Sequence, residues 1–146
     1  MTTEPALTTE PAWEPHPEGG SYRRVWTSEL EVPASALPAG YDGSRVAGSC
    51  IAYRLAPGER SRWHRVRSTE LWLWQGFGTL RLRTGGVGER PTTARDLRLG
   101  PDGVRQAVVA PGEWQSAEPL GDEAVEVACV VVPGFDWRDW QVLDGE

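Results

Sequence analysis

Residues 61–76 read SRWHRVRSTELWLWQG. Taken as two strands, the stretch decides the fold. In a strand successive side chains point to opposite faces. Over Ser61–Val66 that puts Arg62, His64 and Val66 on one face, and Trp63, Arg65 and Arg67 on the other. In the next strand Glu70, Trp72 and Trp74 share a face, with Leu71, Leu73 and Gln75 opposite. If the two strands pair, a base, a carboxylate, an arginine and two indoles surround one space. Apolar walls with a few convergent polar groups are what a small-molecule pocket requires. The bland alternative is that the tryptophans fill a core and that His64 and Glu70 form a structural pair.

Working outward, short β-type segments alternate with turn signals. The expected strands are 22–27, 48–55, 61–66, 70–74, 79–84, 96–99, 106–110, 114–117 and 125–132. Turn stretches such as PAGYDGS, APGE, TGGVGERP and GPDG separate them. Seventeen Gly and twelve Pro make long helices improbable. TSELEVPASAL hints at a helical turn, which Pro33 keeps short. The spacing is that of an all-β sandwich or barrel. Residues 1–12 repeat TTEPA around Leu7, a composition that buries no core face. They read as a flexible tail, and residues 13–146 as one domain. The closing GFDWRDWQVLDGE is expected to end in a short strand or helical turn carrying Trp137 and Trp140.

The chain has 146 residues and a formal net charge of −6, and all its basic residues are Arg. Nucleic acid is therefore an unsuitable partner, since phosphate binding wants a basic face. No apolar run is long enough to span a membrane, and no signal peptide is apparent. A cytoplasmic location with reduced thiols follows, with Cys50 and Cys129 as small buried hydrophobes. HPEGG at 16–20 reads as a turn whose glycines permit positive φ. Its histidine is best read as structural, with contact to a pocket mouth as the alternative. TGGVGERP has no helix after it to present amides to a phosphate, so a nucleotide loop is rejected.

Several stretches carry a resemblance. Gly58, His64, Glu70, Gly76 and Gly78 resemble the first cupin motif, and Pro111–Gln115, PGEWQ, resembles the second. HPEGGSYRR, GERSRWHRVRSTELW, VVAPGEWQSAEP and VVPGFDW together resemble the small cupin_5, or DUF985, subfamily. The resemblance implies a double-stranded β-helix, the cupin jelly-roll barrel, usually dimeric, with a pocket inside. It does not imply one reaction, because function belongs to the site rather than the fold. The general cupin metal set of three His and one Glu falls here on His64, Val66, Glu70 and Gln115. That is a poor donor set, since metal sites of this kind take three or more N, S or charged O donors. No cofactor is expected, and any weakly held metal would fall to His64, Glu70 and Gln115.

What remains is acid–base chemistry or binding. A buried His beside a carboxylate is oriented in one tautomer and its pKa is raised. His64 is thus the candidate general base or acid, with Glu70 as its orienter or as a second acid–base group. Tyr53, on the preceding strand, is a candidate phenolic proton donor. Arg62, in phase with His64, is the candidate contact for a substrate carboxylate or phosphate. Gln106 and Gln115 are candidate pocket amides, and Trp72 and Trp74 candidate stacking walls for a flat, apolar or sugar-like ligand. The expected function is a metal-independent isomerisation, epimerisation, elimination or cyclisation of a small organic molecule, in carbohydrate or secondary metabolism. The partner would carry a carboxylate or sugar-like part, and the protein would be a homodimer. The alternatives are a non-catalytic small-molecule sensor or carrier, and a metal-dependent dioxygenase or isomerase with a depleted ligand set.

Overall fold

The computed structural model describes residues 10–145. Most of the expected tail lies outside them; Glu10, inside them, pairs with Arg23 at 2.7 Å. The strands are β1 Glu14–Pro15, β2 Ser21–Thr27, β3 Glu31–Val32, β4 Arg45–Val46, β5 Ser49–Leu55, β6 Ser61–Val66, β7 Thr69–Trp74, β8 Thr79–Thr84, β9 Arg95–Leu99, β10 Gln106–Val109, β11 Gln115–Leu120, β12 Val125–Val132 and β13 Trp140–Val142. The remaining regular elements are 3₁₀ turns at Ala34–Ala36, directly after Pro33, and at Trp137–Asp139. One sheet runs β1-β2-β5-β12-β7-β10 and a second runs β13-β6-β11-β8-β9, all antiparallel. The fold is the expected all-β jelly roll.

Period-two patterning explains how the sheets face one another. In β12, VEVACVVV, Val125, Val127, Cys129 and Val131 are buried, while the residues between them are more exposed. In β8, Leu80 and Leu82 are fully buried. With Leu99, Val109, Tyr53, Leu55 and Trp72 they form one core cluster between the sheets. Cys50 and Cys129 are free thiols, the second buried.

Two expectations about the opening stretch fail. β6 and β7 do not pair; they belong to different sheets. Only Arg67 and Ser68 separate them, and that link carries none of the Gly or Asn residues a two-residue hairpin needs. It turns a corner instead: the Arg67 amide donates to the Asp139 carbonyl and the Ser68 hydroxyl bonds the Tyr41 phenol. His64 and Glu70 therefore approach the interior from opposite sheets. The second failure is Arg62. β6 carries a bulge against β11, where Gln115 opposes His64 but Ala117 already opposes Ser61. The extra residue lets Ser61 and His64 both point inward. It also turns Arg62 aside, and its guanidinium donates to the Pro17 carbonyl.

Candidate functional site

The site is assembled from three places distant in sequence. The first is the HPEGG turn. His16 and Gly20 close it by a backbone hydrogen bond of 2.9 Å. Gly19 has φ +117°, and a Cβ there would sit 1.9 Å from the Arg60 carbonyl oxygen, so the close approach to the neighbouring chain requires glycine. The Tyr53 phenol donates to the Gly19 carbonyl, and the Arg62 amide donates to the Glu18 carbonyl at 2.8 Å. The turn is thereby fixed against β5 and β6, and it pushes His16 and Glu18 into the barrel, where both are buried.

The second part is β6 and β7. His64 is 2 % exposed. Its Nδ1 lies 2.7 Å from the Arg62 carbonyl, and its Nε2 lies 3.0 Å from Glu18 Oε2. A carbonyl only accepts, so Nδ1 carries a proton. A carboxylate likewise accepts, so the ring is an imidazolium paired to Glu18. Burial opposes that charge, but the Glu18 charge and hydrogen bond, the charge of Glu70 and the Arg62 carbonyl outweigh it and raise the His64 pKa. Glu18 shows the other half: burial alone would raise it, yet His64 brings its carboxyl down to about 2. Glu70 differs. Its Oε1 accepts from Gln115 Nε2 at 2.7 Å, and no other hydrogen bond to it exists among the described residues. Burial, opposed by His64 and reinforced by Glu18, pushes its carboxyl up to about 7.

The third part is the C-terminal GFDWRDW. The Phe135 amide donates to Ser49 Oγ at 2.9 Å. Asp136 caps the 3₁₀ turn by accepting from the Arg138 amide. Phe135, Trp137 and Trp140 form an edge-to-face series, with Trp137 5.4 Å from Trp140 and 4.9 Å from Phe135. The Trp140 indole also donates to Glu18 Oε2 at 3.2 Å. These rings, His16, Tyr22 and Ile51 wall a cavity that opens to solvent. Glu18, His64 and Glu70 also line it, as do Arg24 and Cys129.

Of the residues expected from sequence, His64 and Glu70 line this cavity. Gln115 lies behind it, holding Glu70 and accepting from the Trp72 indole at 2.7 Å. Trp72 is core, packed edge-to-face on Tyr53. Trp74 turns its indole to the carbonyls of Phe77 and Gly78, with Arg105 over its ring. Tyr53 is buried in the core with its proton committed to Gly19, and burial first, then the Glu18 charge, raise its pKa far above the ordinary phenol value. Gln106 faces outward, since Ala107 and Val109 take the inner face of β10. Sequence reasoning missed Glu18, Tyr22, Phe135, Trp137 and Trp140 as lining residues. An acidic residue inside a two-glycine turn, and three aromatics within the six positions 135–140, were the available signals.

The general cupin metal does not fit these residues. Both His64 nitrogens are engaged by acceptors, position 66 is valine, and Gln115 Oε1 already accepts an indole proton. Among the described residues no three His, Cys, Asp or Glu side chains converge as a cation site.

Comparison with known proteins agrees with the fold. A hypothetical protein from Leishmania major is 26 % identical, with TM-score 0.77, covering 90 % of this chain and 81 % of its own. A Shewanella oneidensis protein is 30 % identical, with TM-score 0.71, covering 90 % of this chain and 78 % of its own. A cupin-like protein from Thermotoga maritima shares the fold at 10 % identity, with TM-score 0.58 over 95 % of this chain and 89 % of its own. No curated protein matches the chain. Residues 8–143 match the family described as Cupin superfamily (DUF985), and the chain belongs to that family.

Proposed function

We propose that the cavity carries out a metal-independent proton transfer on a small organic molecule, as an isomerase, epimerase, lyase or cyclase. The carrying observation is the pairing of two unlike groups across one cavity. Glu70 offers an oxygen without a partner among the described residues, and burial pushes its carboxyl up to about 7, where a general acid–base is most effective near neutral pH. His64, held as imidazolium by Glu18, supplies a fixed positive pole for negative charge that develops on substrate. This reverses the roles expected from sequence: Glu70 moves the proton and His64 stabilises. Arg24 stands at the lining, where Arg62 was expected. The aromatic wall of Phe135, Trp137 and Trp140 suits a flat or sugar-like body.

An enzyme of this kind puts solvent hydrogen into its substrate or product. The protein is therefore incubated in D₂O with small-molecule extract, and deuterium gain is read by mass spectrometry. The expected result is at least one compound labelled by the natural chain and not by Glu70→Gln. Labelling that is identical with both chains removes the role of Glu70. A ligand retained in native mass spectra without any labelling favours the binding-protein reading. The homodimer belongs to the same proposal, supported by Val25, Trp26 and Leu30, which stand 60 %, 50 % and 66 % exposed on and after β2. Light scattering at the mass of one chain would remove it.

A further inference from the structure

His16 has no part in the proton transfer proposed above, yet it occupies the cavity lining. Its ring sits in an aromatic box, with Tyr22 at 5.0 Å, Trp137 at 5.5 Å, Tyr53 at 5.7 Å and Trp140 at 6.2 Å between centroids. The Glu18 amide N–H donates to His16 Nδ1 at 3.2 Å. An amide nitrogen only donates, so Nδ1 holds the lone pair and a neutral ring carries its proton on Nε2. Burial, the leading influence, lowers the His16 pKa and agrees with the neutral form. The nearest carboxylate oxygen, Glu18 Oε2, lies 3.8 Å from Nδ1, beyond hydrogen-bond reach and on the wrong nitrogen.

Nε2–H has no acceptor among the described residues. Nor is it sealed away: the only fully buried side-chain N or O atom left without a partner there is Ser116 Oγ. The side chain is 5 % exposed, so the little surface it keeps belongs to the cavity it lines. A donor whose only open side is the cavity takes its acceptor from whatever fills that cavity.

We infer that His16 donates Nε2–H to an uncharged carbonyl oxygen of the ligand, so the cavity takes a neutral carbonyl compound with a flat apolar body. A neutral acceptor suits the place because Glu18 and His64 already balance each other's charge. The flat body lies against Trp137, whose ring is within contact distance of His16. The reaction role rests on the proton-transfer reading above. Glu70 removes a proton from the carbon next to the carbonyl, and the C–H electron pair becomes the enolate. His16 Nε2–H meets its oxygen, the fixed positive pole of His64 offsets its charge, and the Glu70 carboxylic acid returns the proton to carbon. No oxidant or reductant enters. A neutral imidazole is suited to this, because it polarises the oxygen without surrendering a proton outright.

The chain has two histidines, so imidazole ¹⁵N spectra are simple to assign with His16→Phe. His16 should show the neutral Nε2–H tautomer at pH 7. Acetophenone should shift the Nε2–H resonance and bind the natural chain roughly fivefold or more tighter than ethylbenzene, which lacks the acceptor. His16→Phe should bring that ratio to about one, while His16→Gln, which keeps an N–H donor, should retain most of it. An Nδ1–H tautomer, no shift of Nε2–H with millimolar acetophenone, or equal binding of the two probes would overturn the inference. None of these readouts needs turnover. Glu70-dependent deuterium labelling can therefore fail while the ketone preference stands, and the reverse, so the two failures are distinguishable.

Discussion

Two buried ion pairs in this molecule are equally hidden and have different consequences. Arg45 and Asp139 are each 2 % exposed in their side chains; His64 and Glu18 are 2 % and 7 % exposed. The Arg45–Asp139 pair is bidentate, at 2.8 and 2.9 Å, and two further guanidinium N–H groups go to the Ser44 carbonyl and to Asp42. Four of its five N–H donors are thus used, with every guanidinium nitrogen engaged. The pair fastens the C-terminal 3₁₀ turn to β4 and stays out of the cavity lining. His64–Glu18 is single-contact, adjoins a cavity, and lies beside a carboxyl with one oxygen uncommitted among the described residues. Burial of charge alone marks neither function nor stability. What separates the two is whether hydrogen-bonding capacity is left over next to an accessible space.

The sharpest way to break that comparison is Glu70→Gln. If Glu70 moves the proton, deuterium labelling should fall about 10²–10⁴-fold. Stability should move the other way. Glu70 has a folded pKa of about 7 against an ordinary 4.5, so its contribution to stability is fully present below 4.5 and is lost as pH rises through about 7. At pH 8 the glutamine variant should be more stable than the natural chain, on the order of 1–3 kcal/mol, and the gain should vanish near pH 4.5. Urea melts at both pH values test this. A variant that is less stable at pH 8 would mean that Glu70 is structural.

Asp139→Ala probes the other pair. Removing one partner of a buried pair strands the second charge, which costs about 3–5 kcal/mol. The lower end, about 3 kcal/mol, is expected because Arg45 keeps the rim carboxylate Asp42. The loss should be alike at pH 6 and pH 8, since a guanidinium stays charged throughout. A strong pH dependence over that interval would erase the distinction between the pairs.

Glu18→Gln should give a smaller and pH-shaped effect. Glu18 is depressed to about 2, so its contribution is present above 4.5 and is lost as pH falls toward about 2. The variant should lack that acid limb, on the order of 1–3 kcal/mol in amplitude. It should also lower the His64 pKa, which ¹⁵N titration reads directly. An unchanged His64 titration would remove Glu18 as the group that holds the imidazolium.

The strands were legible because alternation is local: Ser61–Val66, Thr79–Thr84 and Val125–Val132 stand where the pattern puts them. Pairing was not, because periodicity names a face and never a neighbour, so β6 and β7 were joined wrongly. A single bulge undid the phase that had put Arg62 beside His64. The tryptophans misled for a related reason. Trp72 does share a face with Glu70, but the same face that opens to the cavity at one end is packed core at the other. The true counter-ion, Glu18, is far away in sequence, and only the shape of its turn brings it to His64. Gln115, read as a pocket amide, lies behind the cavity instead, and its task of holding Glu70 needed coordinates to see.

Trp137→Ala makes the mildest test and separates wall from anchor. Trp137 is 46 % exposed, so only about half of its surface is withdrawn from water when it packs. Its edge contacts to Phe135 and Trp140 are worth about 0.5–1.5 kcal/mol each beyond burial where fully formed. A ligand stacked on the same indole gains a similar amount, so acetophenone should bind about 2–10-fold more weakly to the variant. Stability should fall by about 1–2 kcal/mol, less than for Asp139→Ala, because the turn keeps its Arg45 clamp and its Asp136 cap. Asp139→Ala, by contrast, should weaken both stability and binding, since the aromatic wall loses its fastening. If Trp137→Ala lowered stability as much as Asp139→Ala while leaving binding intact, the C-terminal aromatics would be core in disguise, and the cavity would have no wall for a flat ligand to lie against.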